Sequence, residues 1–256
     1  MRRSYAGLVR RLRAVADSPD VELRCLGEFE VAGRSYPIFM LCVGAAGQGK
    51  RSVMLAAGIH GDEPAGVEAA LQFLETRATD SDLLSRFHFN VFPCNNPCGW
   101  ERNTRENCTG IDLNRGFAVR RPAPEVEIIM QGLRGRRFDL VFEMHEDIDA
   151  PGFYLYEIAE NPGHYIAEDI IAAVSAAGYP IHRSRVIEHR RAEGGIIRRS
   201  ALRFRKTRVP QAIYAYRTCG GHVLTLEPPA SVLPLEDRVR IELMGLEVAL
   251  NRLRAG

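Results

Sequence analysis

Four polar clusters follow apolar runs in this 256-residue chain. His60-Gly61-Asp62-Glu63 comes after the run at 52–59, and Asn95-Asn96-Pro97 after 87–93. His145-Glu146-Asp147 follows 138–144, and Glu227-Pro228-Pro229 follows 223–226. His60 and Glu63 lie three apart at an expected strand-to-helix turn, so both side chains can enter one small volume. With His145 from a neighbouring strand they form a two-histidine, one-glutamate set. That is the ligand set of a catalytic zinc ion, one Zn²⁺ per chain, with a position left for water.

Glu227 ends an apolar run, where a carboxylate is costly unless it has a partner or a task. Beside a zinc ion it can take the proton of an attacking water, the role of a general base. Pairing with one of the many arginines is the plainer alternative. The polar segment 103–117 supplies cations. Arg115, next to Asn114, can clamp a substrate carboxylate through paired charge-assisted hydrogen bonds. Arg105 can face the oxyanion that develops on an attacked carbonyl.

The elements that must hold these groups read as alternating strands and helices. Residues 4–16 are expected to form an amphipathic helix with Leu8, Val9, Leu12 and Val15 on one face. A hairpin is expected over 21–31 and 35–43. The runs at 52–59, 87–93, 138–144 and 223–226 read as buried strands, and 153–158 as a further strand. Helices are expected at 65–77, 125–133, 165–177 and 234–254, with Pro64 opening the first of them. Segment 95–116 reads as one long loop and 183–208 as irregular. With no repeat and no dividing linker, residues 1–256 read as a single α/β domain whose central sheet is largely parallel. Ligands in such sheets bind outside the carboxyl ends of the strands, where all four polar clusters fall.

Composition narrows the class. The net charge is +2, from 34 basic and 32 acidic residues, which argues against a dedicated nucleic-acid binder. All basic residues except Lys50 and Lys206 are arginine, a bias that reads mainly as codon preference. Segment 183–208 concentrates nine arginines and Lys206 against Glu188 and Glu193. It is either a solvated surface loop or a cationic lip for acidic substrates. Phe204 is its only aromatic residue, too few to stack nucleic-acid bases. No run approaches the ~20 apolar residues of a membrane span, and the basic N-terminus lacks the apolar stretch of a secretory signal. The six cysteines, irregularly spaced, are expected to be free thiols in a cytoplasmic protein, although Cys94, Cys98 and Cys108 are also conceivable metal ligands.

These residues together resemble the zinc metallocarboxypeptidase family, including its succinylglutamate desuccinylase/aspartoacylase-related branch. The family's H-x-x-E matches His60-Gly61-Asp62-Glu63, and its R-x-N…D-x-N-R matches Arg105-Glu106-Asn107 and Asp112-Leu113-Asn114-Arg115. The distal histidine matches His145 and the catalytic glutamate Glu227, over about residues 51–254. The resemblance implies a mixed, mostly parallel sheet of about eight strands flanked by helices. It also implies Zn²⁺ on His60, Glu63 and His145, with Glu227 as general base and then acid. Arg105 would polarise the carbonyl, Asn114 and Arg115 would hold the terminal carboxylate, and Asp112 would orient His60 from behind. A small peptide or an N-acyl amino acid with a free carboxylate is the implied substrate. The family's tyrosine upstream of the base has no certain counterpart, Tyr214 and Tyr216 standing too close to Glu227. The chain after Glu227 reads as mainly one helix, which favours a compact carboxypeptidase over an N-acyl amino acid deacylase. A binding module that has lost catalysis is a third reading, against which stands the presence of Glu227 with all three ligands. Oligomeric state is left open.

Overall fold

The computed structural model describes residues 3–159, 162–198 and 206–255. The first helix, α1 (Tyr5–Val15), starts where the Ser4 side chain accepts from the Gly7 N–H, and it buries Leu8, Val9 and Leu12. An antiparallel hairpin follows, β1 (Val21–Val31) with β2 (Arg34–Val43). Then come β3 (Arg51–Ala57), α2 (Pro64–Arg77), α3 (Ser81–Arg86), β4 (Phe87–Phe92) and α4 (Pro97–Arg102). The second half holds α5 (Pro124–Leu133), β5 (Leu140–Met144), β6 (Tyr154–Ile158), α6 (Ala167–Ala176), β7 (Val186–Ile187), β8 (Arg190–Arg191) and β9 (Ile196–Arg198). It closes with α7 (Gln211–Cys219), β10 (His222–Glu227) and α8 (Leu235–Ala255).

Eight strands form one mixed sheet in the order β1-β2-β4-β3-β5-β10-β6-β9. Its centre, β4-β3-β5-β10, is parallel, and β6 lies antiparallel to β10. Side chains alternate across the central strands, so Leu55, Phe142 and Leu224 enter the larger core while Met54, Val141 and Val223 enter the other. Helices α1, α2, α6 and α8 cover the first face, and α5 and α7 cover the second. Burial on both faces explains why these strands are near-continuous apolar runs.

The register places the functional edge. Ala57 and Leu226 are both level with Met144, so β3, β5 and β10 end in one row. Whatever follows those residues converges above the sheet.

Several expectations are corrected. Segment 95–116 is not one loop: α4 forms within it, capped by the Asn96 side chain on the Gly99 N–H, and a 3₁₀ turn spans Leu113–Arg115. The described part of 183–208 holds three short strands, and residues 199–205, including Phe204, lie outside the described residues. Cys98 and Cys108 are not free thiols but a disulfide, with Cα atoms 5.7 Å apart. Cys25, Cys42, Cys94 and Cys219 are free.

Candidate active site

The turn after β3 is shaped by close approach. Gly58 takes a φ of 64°, and a side chain on Gly61 would meet the backbone carbon of Gly99 at 2.0 Å. Only glycine lets this turn rest on the start of α4. The contact is pinned by the Gly61 N–H donating to the Arg105 carbonyl at 3.4 Å and by the Arg3 guanidinium donating to the Gly61 carbonyl at 2.7 Å. The Asn96 amide bridges the carbonyls of Ile59 and Arg105. His60 and Arg105 therefore share one scaffold.

His60, Glu63 and His145 meet as their spacing suggests. Their ligand atoms lie within 4.8 Å of one another, and all three residues are buried. His60 Nδ1 stands 2.5 Å from Glu63 Oε1, and His145 Nδ1 stands 2.9 Å from Glu63 Oε2. The imidazoles are edge-on, with ring centroids 5.1 Å apart. Behind each ring, on its Nε2 side, sits a carboxylate: Asp112 3.4 Å from His60 and Glu143 3.6 Å from His145. Such carboxylates fix the tautomer and orientation of metal-bound histidine. Glu143 was not singled out in the sequence, although a charge within the apolar run 138–144, two residues before His145, was a usable signal.

Electrostatics in the cluster follow from proximity. Burial alone would raise the Glu63 carboxyl, but the two imidazoles outweigh it and hold it below the ordinary carboxylate range. Burial opposes charge on His145, yet Glu63 and Glu143 raise its pKa. Glu227 is raised mainly by burial, with His145 opposing. Asp112 is held low, against its own burial, by His60 and Arg105. Two imidazoles and several carboxylates around one point are the donor chemistry of a divalent cation.

The remaining candidates line one cavity of about 390 Å³ with the trio: Arg105, Asn114, Arg115 and Glu227. Arg105 reaches Asp112 at 3.3 Å and Glu63 at 3.6 Å. Asp112 also caps the 3₁₀ turn by accepting from the Asn114 N–H. Asn114 Oδ1 accepts from the Gln211 N–H at 2.8 Å, which ties the turn to α7 and leaves the amide nitrogen for a ligand. Arg115 donates only to the neighbouring Asn114 carbonyl and forms no ion pair among the described residues. Glu227 ends β10, half-buried.

Tyr214 lies against Phe117 with ring centroids 5.5 Å apart, and neither it nor Tyr216 lines the cavity. The tyrosine that does is Tyr156 on β6, which the sequence reading passed over. Its register partner on β10 is Thr225, two residues before Glu227. Behind the site, Glu146 accepts from the Ala65 N–H at the start of α2 and from Arg238 of α8. Burial raises the Glu146 pKa to about 7, with Arg238 opposing.

The fold has known counterparts. A candidate metallopeptidase from Shewanella amazonensis superposes with a TM-score of 0.80 at 22% identity, covering 95% of this chain and 91% of that one. Carboxypeptidase A from Helicoverpa armigera gives 0.74 at 19% identity, covering 99% and 74%. A metallo-carboxypeptidase from Burkholderia cenocepacia gives 0.72 at 20%, covering 99% and 70%. The architecture is carboxypeptidase-like, and with its His-Glu-His group it defines a metallohydrolase. Residues 49–227 match the model of the succinylglutamate desuccinylase/aspartoacylase catalytic domain, and the chain belongs to that family. A curated relative, carboxypeptidase E of Caenorhabditis elegans, is 31% identical over an alignment of 121 positions that covers 38% of this chain. The match spans 24% of that relative's length.

Proposed function

We propose that this protein is a zinc-dependent hydrolase that cleaves an amide bond beside a free carboxylate, as a carboxypeptidase acting on small peptides. The observation that carries the reading is the convergence of His60, Glu63 and His145 in the cavity lined by Glu227 and the unpaired Arg115. Zinc, when bound, polarises a carbonyl and lowers the pKa of water to about 7. Asp112 and Glu143 hold the two imidazoles in the metal-facing tautomer. Arg115 and the Asn114 amide anchor the substrate carboxylate, which places the adjacent amide carbonyl against Arg105. Glu227 takes the proton of the attacking water and returns it to the leaving nitrogen. Its raised pKa suits the returning step, and a dication nearby pulls the carboxyl back towards the charged form that the first step needs.

The family match favours a second reading, in which the bond is that of an N-acyl amino acid. The same groups serve both, because each substrate presents an amide next to a carboxylate.

The test is metal analysis and turnover of wild type and Glu227→Gln with blocked dipeptides and N-acyl amino acids. Near-stoichiometric zinc in both proteins, with turnover reduced about 10²–10⁴-fold in the variant, is the expected result. Normal turnover by the variant would sink the mechanism. Cleavage confined to acyl amino acids would select the second reading.

A further inference from the structure

One of the four strand-end clusters, Asn95-Asn96-Pro97, has no part in the chemistry above. Asn96 is committed to the start of α4 and to the carbonyls of Ile59 and Arg105. Asn95 is not. Its backbone N–H donates to the Ala57 carbonyl at 3.0 Å, which fixes it beside the end of β3. Its side chain reaches α7, where Asn95 Nδ2 donates to Gln211 Oε1 at 3.0 Å. Both residues are fully buried. The other ends of the two amides, Asn95 Oδ1 and Gln211 Nε2, are also shut away from solvent and meet no hydrogen-bond partner among the described residues. A half-satisfied amide pair in the interior is costly, and two apolar side chains of the same shape would fill that space at lower cost. Packing therefore does not account for the pair, whereas what stands on the other side of Gln211 does.

Helix α7 has no side-chain cap from its own N-cap residue, Pro210. The Gln211 N–H, the first of the helix, donates instead to Asn114 Oδ1 at 2.8 Å. A side-chain amide has an acceptor end and a donor end. Holding the Asn114 oxygen on Gln211 turns its nitrogen, the end that attracts a carboxylate, to the cavity that Asn114 lines with Arg115. Rotated by half a turn, the same amide would show a carboxylate its oxygen and repel it. The Asn114 backbone is already fixed by Asp112, which accepts from its N–H at 2.9 Å. The polarity of the amide is thus decided at Gln211.

We propose that Asn95 and Gln211 are positioning residues. Their buried amide pair anchors the first turn of α7 to the segment that follows β4, so that the Gln211 N–H holds the Asn114 nitrogen towards the substrate carboxylate. The inference rests on the amide-hydrolase reading above. Neither residue lines the cavity, and neither side chain is hydrogen-bonded to a metal ligand. Selection of a free carboxylate over a carboxamide is therefore set in part from behind the site, by a relay of three amides that is separable from zinc binding.

The test takes the blocked dipeptide or N-acyl amino acid that zinc-loaded wild type cleaves fastest and compares it with its C-terminal carboxamide. Both are run on wild type, Asn95→Leu and Asn95→Leu/Gln211→Met. The single variant strands the Gln211 amide, whereas the double variant replaces both amides by apolar groups of similar shape and should melt close to wild type. Zinc affinity should be unchanged in both. Misplacing a binding group by about 1 Å can cost up to 10²-fold, so kcat/KM for the carboxylate substrate is expected to fall about tenfold or more in the double variant, through KM. The carboxamide can donate to a rotated Asn114 oxygen, so its kcat/KM should change by about threefold or less. An unchanged carboxylate preference in the double variant, or an equal loss on both substrates, overturns the proposal. A melt far below wild type in the double variant assigns the pair to stability and overturns it too. If neither substrate class is cleaved in a zinc-dependent way, the hydrolase reading fails. Calorimetry of N-acetyl-alanyl-alanine and N-acetyl-alanyl-alaninamide with zinc-loaded protein then decides the inference. A preference for the acid that disappears in the double variant upholds it, and a preference that persists there, or is absent from wild type, overturns it.

Discussion

Gly61→Ala tests whether the metal loop depends on its contact with α4. The added Cβ would lie 2.0 Å from the Gly99 carbonyl carbon and 2.3 Å from the Trp100 nitrogen. An ordinary contact needs roughly 3.4 Å, so the two backbones must separate by about 1.4 Å. Neither side yields easily, because a Cβ on Gly99 would itself meet the Asn96 amide at 2.4 Å and the Glu106 carbonyl at 2.6 Å. His60 is the next residue, and metal ligation tolerates only about 0.2 Å of error in ligand distance. Losing a carboxylate behind a metal-bound histidine costs about 10–100-fold in affinity, and displacing the histidine should cost more. Zinc affinity is therefore expected to fall at least about 100-fold. Overpacking should cost about 1–3 kcal/mol of stability, or roughly 2–12 °C in Tm for a chain of this size. Competition with a zinc chelator and a thermal melt of the metal-free protein measure the two effects separately. Wild-type zinc affinity in Gly61→Ala would refute the reasoning, whatever the melt shows.

Asp112→Asn and Glu143→Gln should each weaken zinc binding about 10–100-fold, measured by the same competition, because each removes a carboxylate facing an imidazole Nε2. Glu157 is fully buried and accepts from His222, Arg198 and the N–H groups of Ile166 and Ala167. Its burial acts to raise its pKa, but these partners outweigh that and lower it. A lowered folded-state pKa means that the contribution is full above the ordinary carboxylate value, ~4.3, and fades as pH falls through the lower folded value. Glu157→Gln should thus be less stable than wild type by about 1–3 kcal/mol at pH 7 in urea titrations, with the gap narrowing below about pH 4. Reducing Cys98–Cys108 opens a closed loop that contains Arg105. It should lower stability by about 2–3 kcal/mol on the chain-entropy scale, which a melt with and without reductant would show.

The site was legible where a residue type and its position in the chain both carried information. His60 and Glu63 are locked together by a three-residue spacing, and His145 and Glu227 each end an apolar run, so strand ends could be read as site positions. Arg115 and Asn114 were legible because a long polar segment inside a compact domain needs a reason. Apart from Glu143, whose charge stands out within its apolar run, the missed features lacked a local signal. α7 begins at Gln211, whose N–H is satisfied by Asn114, 97 residues earlier, a partner that no window of sequence reveals. Tyr156 looks like an ordinary strand tyrosine until the register sets it beside Thr225. The Cys98–Cys108 pairing depends on α4 folding back over its own loop, and cysteine spacing alone does not specify that. For the basic strip, composition left a solvated loop and a collective lip both open, and the fold separates its members, directing Arg190 to the cavity and tying Arg198 to Glu157.

Strand order has a consequence for assembly. β10 is the last strand in the chain yet lies inside the sheet, between β5 and β6. A nascent chain that has emerged only as far as residue 221 holds every member of the metal trio, just past the ends of the adjacent strands β3 and β5, and lacks the base. Insertion of β10 joins residues 140–144 to 222–226, a non-local pairing of the kind that folds slowly because a long loop must close first. Capture of the cation and completion of the catalytic machinery are therefore separable events in the life of the chain. Metal present during synthesis would bind and stabilise a half-built sheet before the residue that uses it arrives.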